Sequence, residues 1–338
     1  MFTQVLEQLI KGEDLSPIEI TAAMNDIMSG NATDAQIGAF LMGLRIKGET
    51  PAEVAAAAAV MRKHATLVDA GARSVIDTCG TGGDGAGTFN ISTTTAFVAA
   101  GADICVAKHG NRAVTSKCGS ADVLAALGFN LAADPMIMEE CIQENGIGFL
   151  FAPNMHPAMK YVMPTRKQLK IRTIFNMLGP LTNPAAATGQ VLGVFAPELT
   201  EVFAEALKDL GCRRAYVVHG EDGLDEITCT GNTRVSELRD GDIRTYDLVP
   251  ELLIGETFDS EELAGGTPEE NAKILRGILD GSVQGAPRAV VLLNAAAAIV
   301  VGEKADTLDE GLKLAAASID SGAALAKLET LVKESQVA

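Results

Sequence analysis

Four stretches of this chain concentrate residue types that do chemistry. The first, Asp77 to Thr93 (Asp-Thr-Cys-Gly-Thr-Gly-Gly-Asp-Gly-Ala-Gly-Thr-Phe-Asn-Ile-Ser-Thr), holds five glycines and two aspartates in seventeen positions. An apolar pair, Val75 and Ile76, precedes it, and a helix-like run, Thr94–Ala100, follows. Strand, glycine turn and helix start together aim N–H groups at an anion, most often a phosphate. The spelling matches neither the Walker loop, which needs Gly-Lys-Ser/Thr, nor the GxGxxG dinucleotide fingerprint. Asp77 and Asp84 would repel a bare phosphate, so the ligand they imply brings cations or hydroxyls. A magnesium-bound diphosphate on a ribose has both.

The second stretch, Lys108 to Ser120, combines cations, a histidine, an amide, hydroxyls and glycines after another strand-like run. Such a loop can fold over a phosphorylated ligand, with Lys108 as a point charge and the backbone as donor. The third, Arg166 to Pro184, begins as a basic helix and ends in a Gly-Pro turn. A guanidinium there can hold a carboxylate through two parallel hydrogen bonds. The fourth is Gly223-Leu-Asp-Glu226. Its adjacent carboxylates on a loop suit Mg²⁺, which takes few protein ligands and completes its shell with water and phosphate.

Charge distribution supports an anion site. The formal net charge is −17, which argues against nucleic acid or an anionic membrane as the main partner. Yet no acid lies between Asp103 and Asp122, where Lys108, Arg112 and Lys117 stand, or between Glu144 and Glu198, where Lys160, Arg166, Lys167, Lys170 and Arg172 stand. The six cysteines show no CxxC spacing and read as reduced thiols rather than a disulfide framework or zinc site. Met1–Leu15 lacks the apolar core of a signal peptide, and no apolar run reaches membrane-spanning length. A soluble, cytoplasmic protein is expected.

The elements that must position these stretches fall into two textures. Capping boxes at Ser16, Thr33 and Thr50 predict three short helices before residue 70. After that, apolar runs at Val75–Ile76, Ile104–Ala107, Ile147–Phe151, Val191–Phe195 and Ala215–Val218 alternate with helical segments such as Ala121–Leu127 and Leu199–Leu210. The alternation predicts an α/β fold with a mixed, mostly parallel central sheet. Polar alternation with Gly turns predicts an antiparallel addition over Thr228–Asp247, and helices follow from Thr267. The expected domains are helical 1–70 and α/β 71–338, with about 164–184 able to rejoin the helical part.

Together the four stretches are similar to the anthranilate phosphoribosyltransferase family. The resemblance rests on Gly-Thr-Gly-Gly-Asp, Asn-Ile-Ser-Thr, Lys-His-Gly-Asn and Asn-x-Leu-Gly-Pro-Leu-x-Asn-Pro, and extends to Gly265–Asn271 near the end. It implies a small helical domain on a larger α/β domain, as in nucleoside phosphorylases, a homodimer, and transfer of phosphoribosyl from phosphoribosyl diphosphate to anthranilate in tryptophan biosynthesis.

Carried over by position, Gly80, Gly83, Asp84, Thr88, Asn90, Ile91, Ser92 and Thr93 would contact phosphoribosyl diphosphate. Lys108, His109, Gly110, Asn111, Arg112, Ala113, Val114, Thr115 and Ser116, with Ser120, would close over it. Gly80, Asn111, His156, Arg166 and Pro180 would hold anthranilate, Arg166 through the carboxylate, with His109 also lining the channel. Ser92, Asp225 and Glu226 would ligate Mg²⁺. Lys108 and His109 are the implied catalytic pair. Lys108 stabilises the departing diphosphate, while His109 packs or hydrogen-bonds substrate and no general base is assigned.

Two departures flank Arg166: Lys170 stands where relatives often have Gly, and Thr165 where many have Val. A pyrimidine nucleoside phosphorylase, a nucleic-acid-binding paralogue and a transferase for another aromatic acceptor are the competing readings. The loop Lys108–Ser120 opposes the first and the charge the second.

Overall fold

The computed structural model describes residues 2–71, 74–113 and 116–337. Four helices open the chain, α1 (Phe2–Ile10), α2 (Pro17–Met28), α3 (Asp34–Lys47) and α4 (Pro51–Lys63). Ser16, Thr33 and Thr50 cap the last three through complete capping boxes, each cap contributing about 1 kcal/mol. The capping signals predict three helices because the sequence spells no capping box ahead of α1. It is held by its apolar face of Phe2, Val5 and Leu9.

The α/β part runs β1 (Val75–Gly80), α5 (Ile91–Gly101), β2 (Cys105–Gly110), α6 (Ser120–Ala126), α7 (Pro135–Glu140), β3 (Ile147–Phe151) and α8 (Ala152–Met155). It continues with α9 (Met163–Leu169), α10 (Ile174–Leu178), β4 (Gly189–Gly193), α11 (Leu199–Asp209), β5 (Arg214–Gly220), β6 (Thr233–Arg239) and β7 (Asp242–Leu248). Five helices complete the chain: α12 (Glu251–Ile254), α13 (Pro268–Leu279), α14 (Ala286–Val301), α15 (Leu308–Asp320) and α16 (Ala323–Glu334). Among the described residues no helix is long and apolar enough to cross a membrane.

One sheet carries all seven strands, in the order β3-β2-β1-β4-β5-β6-β7. The pairings from β3 to β5 are parallel, and β5–β6 and β6–β7 are antiparallel. The antiparallel addition begins at Thr233 rather than Thr228. Asp240 and Gly241, with φ of 52° and 90°, make the hairpin turn, the doubly positive conformation that suits a tight two-residue loop. Residues 228–232 are instead tied by the Thr228 and Thr230 hydroxyls donating to Asp222 at 2.6 and 2.5 Å.

The winding direction reverses between β1 and β4. The chain steps outward from β1 to β3, then returns to the other side of β1 as β4. Ligands of open parallel sheets bind in the crevice beyond the carboxyl ends of such a pair. Here those ends are Gly80 and Gly193, directly opposite each other.

Two apolar cores flank the sheet. One joins it to α5, α6 and α13–α16, with Val98, Ile299 and Leu328 at its centre. The other merges α1–α4 with α10, α11 and the opposite sheet face through Phe40, Leu192 and Phe203. The segment from Pro157 through α10 packs back on α2, α3 and α4, and Ala158, Val162 and Ile174 share their core. Arg166 therefore stands on the helical side while the glycine loop stands on the sheet.

Candidate active site

The glycine loop leaves the end of β1 and reaches the start of α5. Gly82, Gly83, Gly85 and Gly87 all have positive φ, which only glycine adopts at little cost. Asp84 sits in the loop and is half-buried. Asp77 behaves otherwise. Its side chain is wholly buried in β1, with Oδ1 accepting from His109 N at 3.2 Å and Oδ2 from Asn183 Nδ2 at 2.8 Å. The expectation that Asp77 faces a ligand is corrected: it ties β1 to β2. Burial still pushes its carboxyl up to about 6, and Lys108 is the leading opposing influence.

The carboxylates of the loop after β5 descend to meet the glycine loop. Asp225 Oδ2 accepts from Gly82 N at 2.7 Å, and Glu226 Oε1 accepts from Ser92 N, in the first turn of α5, at 3.1 Å. Asp225 keeps an edge toward solvent yet lies deep in the crevice, and burial, with Asp84 nearby, pushes it up to about 7. Burial and the neighbouring Asp225 raise Glu226 well above the usual carboxylate range. Three acids crowded at a helix N-terminus call for a cation. Among the described residues no three His, Cys, Asp or Glu side chains form a ready-made metal cage. The donor set fits an ion that keeps water and phosphate oxygens in its shell, as Mg²⁺ does.

Lys108 is buried beside these acids. Its ammonium donates to Thr78 O and to Ser92 Oγ, the latter at 3.4 Å. Burial lowers its pKa, against the pull of Asp77 and Glu226. The loop beyond it is held by Asp122, which accepts from Ala113 N and Gly119 N at 2.9 Å each and from Arg112 Nη1 at 2.8 Å. Ser120 Oγ bridges Asn111 N and O at 3.2 Å each. A Cβ on Gly110 would lie 2.2 Å from Ser120 Oγ and 2.7 Å from the Phe149 ring, so a side chain there would displace both. Ser116 is exposed; Val114 and Thr115 lie outside the described residues.

Asn90 knots three segments together. Its Nδ2 donates to Cys118 O at 3.1 Å, and its Oδ1 accepts from Asn271 Nδ2 at 3.0 Å. Thr88 pairs with Ala264 beside it. The side chains of Ile91 and Thr93 are buried, so both can offer a ligand only their backbone.

On the helical side, Arg166 is half-buried with its guanidinium 5.6 Å over the Phe175 ring and, among the described residues, no acid paired with it. Burial lowers its pKa. Thr165 donates to Asp34 Oδ1 at 3.5 Å, and Lys170 ends α9 in the left-handed region at φ 52°. Both departures are thereby accommodated without disturbing the helix.

His109 and His156 form a neutral pair between the two sides. His109 Nδ1 faces Gly179 O at 3.2 Å and so donates, leaving Nε2 to accept from His156 Nε2 at 3.1 Å. Burial, reinforced by the other ring, takes His109 down to about 3, and burial takes His156 to about 4. Pro180 is buried alongside, its carbonyl accepting from Gln190 Nε2 at 2.7 Å.

Known protein families match nearly the whole chain. Models of the glycosyl transferase family match residues 3–65 (helical bundle domain) and 72–325 (a/b domain). Anthranilate phosphoribosyltransferase of Desulfosudis oleivorans is 60% identical over 98% of both chains. The chain belongs to the anthranilate phosphoribosyltransferase family. The enzyme of that name from Thermus thermophilus superposes with a TM-score of 0.94 at 44% identity, over 98% of this chain and 99% of that one. The Saccharomyces cerevisiae enzyme in complex with PRPP and Mg gives 0.90 at 30% identity, over 99% and 97%.

Several residues of this anthranilate phosphoribosyltransferase family member escape a reading by motif. Asp122 and Asn271 lie inside or beside the quoted motifs but look like capping and surface groups until the loops are folded. Asn294 is wholly buried on α14, donating to Ile227 O and Val290 O at 2.8 Å and accepting from Ile227 N at 3.0 Å. It fixes the residue after Glu226. Its signal was available: one amide in a run of Ala, Val, Leu and Ile must find partners.

Proposed function

We propose that the chain transfers the 5-phosphoribosyl group from phosphoribosyl diphosphate to the amine of anthranilate, releasing diphosphate, as a step of tryptophan biosynthesis. The observation that carries this reading is the meeting of glycine loop and carboxylates at the switch point, where Asp225 Oδ2 takes the Gly82 amide at 2.7 Å. That junction supports reading a sugar-diphosphate cradle and a cation site in one crevice, facing a helical arm that carries Arg166.

In this reading Gly80, Gly83, Asp84, Thr88 and Asn90–Thr93 hold the donor from below, and Lys108–Ser116 with Ser120 close over it. Ser92, Asp225 and Glu226 hold Mg²⁺, which when bound offsets charge on the departing diphosphate. Lys108 ties β1 to the start of α5 through Thr78 O and Ser92 Oγ, and adds fixed positive potential beside the acids without reorganising. Arg166 takes the anthranilate carboxylate, while Asn111, Gly80 and Pro180 line the acceptor. His109 and His156 stay uncharged at neutral pH and present a hydrogen-bonding wall rather than a base. The amine is already a neutral nucleophile, so positioning does most of the remaining work, and its proton leaves late, to water or diphosphate.

The family resemblance supports a homodimer, which sedimentation would check, and the composition supports a cytoplasmic location. The decisive experiment mixes protein, Mg²⁺, phosphoribosyl diphosphate and anthranilate and follows loss of anthranilate fluorescence. Loss that requires all components is expected; none at high protein concentration overturns the reading.

A further inference from the structure

Neighbouring residues of the glycine loop are held from two different parts of the molecule. Gly82 N donates to Asp225 on the sheet side at 2.7 Å, and Gly83 O accepts from Arg172 Nη2 at 2.6 Å. Arg172 belongs to the helical arm: it stands between α9, which carries Arg166, and α10, whose Phe175 lies under Arg166. Its guanidinium also lies 4.3 Å over the ring of Phe195, just beyond the end of β4. An aromatic face beneath a planar guanidinium fixes the direction of its N–H fork. Arg172 is exposed, and its tie to the glycine loop runs to a backbone carbonyl.

We infer that Arg172 is a positioning residue that couples the donor loop to the acceptor arm, so that binding of either substrate favours the other. The inference rests on the function proposed above. A donor seated on the glycine loop fixes the Gly83 carbonyl. Arg172, held by that carbonyl and by Phe195, then restrains residues 170–173 and with them the end of α9 next to Arg166. Such coupling is reciprocal by necessity.

The test is calorimetric titration of the full chain with phosphoribosyl diphosphate and Mg²⁺, with and without 2-methylbenzoate, which keeps the ring and carboxylate of the acceptor but has no amine. The wild-type donor affinity is expected to rise about fivefold or more with the analogue present. In Arg172→Ala that ratio should fall to about one while the melting temperature stays put. Phe195→Leu, which keeps the arginine but removes its support, should give an intermediate ratio. A wild type without coupling, or an Arg172→Ala variant that keeps it, overturns the inference. If neither compound binds the wild type, the proposed function itself fails and this inference with it. If donor and analogue each bind, only the coupling is at stake.

Discussion

A Cβ placed on Gly193 would lie 1.5 Å from the carbonyl oxygen of Asp225. Gly193 ends β4 opposite Gly80, whose own Cβ would meet Asp225 Oδ2 at 2.3 Å. Two glycines at the strand ends thus make the hole into which the carboxylate loop drops. The two contacts differ in kind, because one is backbone and the other a side-chain tip that can rotate away. Gly193→Ala should therefore move Asp225 and Glu226 bodily and lower kcat/KM on the order of 100-fold, with weaker Mg²⁺ dependence. Gly80→Ala should cost less. An unaltered Mg²⁺ titration in Gly193→Ala would contradict the assigned role of this loop.

Arg166 is a half-buried cation with no acid beside it among the described residues, and burial already disfavours its charge. A carboxylate arriving there gains a charge-assisted hydrogen bond worth about 1.5–3 kcal/mol. Arg166→Ala should raise the KM for anthranilate roughly 10- to 100-fold and leave the donor KM nearly unchanged, with no loss of melting temperature. Equal losses for both substrates would refute the carboxylate role.

The His109–His156 pair sets an acid limit. Both rings titrate in the folded protein far below the ordinary 6.5, at about 3 and about 4. A group with a depressed folded pKa of this basic type stabilises the native state above pH 6.5 and loses that contribution as pH falls, because the unfolded chain takes up protons that the folded one refuses. Between pH 7 and pH 5 each ring should cost about 2 kcal/mol. Asp77 and Asp225, raised to about 6 and about 7, act in the opposite sense over the same range, so a difference between variants is the clean measure. Urea midpoints should fall less steeply from pH 7 to pH 5 in His109→Asn than in wild type. Parallel pH profiles would show that the rings are not held neutral.

Lys170 occupies the left-handed region at φ 52°, a conformation that costs a residue bearing a Cβ roughly 1–2 kcal/mol. Glycine avoids that cost but makes the unfolded chain more flexible, which offsets about 0.5–1 kcal/mol. Lys170→Gly should accordingly stabilise the protein by about 0.5–1 kcal/mol without changing kcat, as read from urea unfolding. A lowered midpoint would mean that the lysine side chain contributes contacts outweighing its strained backbone.

What could be read in advance was whatever is local in sequence. Capping boxes at Ser16, Thr33, Thr50 and Thr267 mark helix starts to the residue, and alternating apolar runs give a mostly parallel sheet with an antiparallel end. No such local signal stands ahead of α1 in the sequence, so its start is not marked. The direction of side chains was not legible. Asp77 and Asp84 sit seven residues apart in one motif, yet only the sheet pairing decides that Asp77 turns inward to Asn183 and the His109 amide. Arg172 and Asn294 act across long sequence separations, on Gly83 and Ile227. Their partners exist only once the switch-point crevice has formed.

Asn294 carries the most demanding of these distant tasks. It is wholly buried, and its amide pairs with both backbone groups of Ile227, the residue after Glu226, as well as with Val290 O. Leucine is nearly the same size but would leave the Ile227 N–H and C=O unpaired inside the protein, at about 1–3 kcal/mol each. The loop would relieve that cost by shifting toward water and carrying Glu226 away from Ser92 N. Asn294→Leu should thus lose about 2–5 kcal/mol of stability and bind Mn²⁺ with inorganic diphosphate less tightly, as monitored by the free Mn²⁺ paramagnetic resonance signal. Leu293→Ala, at the adjacent and equally buried position, should lose a comparable 2–5 kcal/mol, an estimate of the usual cavity cost, while leaving Mn²⁺ binding as it was. Identical metal binding in the two variants would reduce Asn294 to an ordinary core residue.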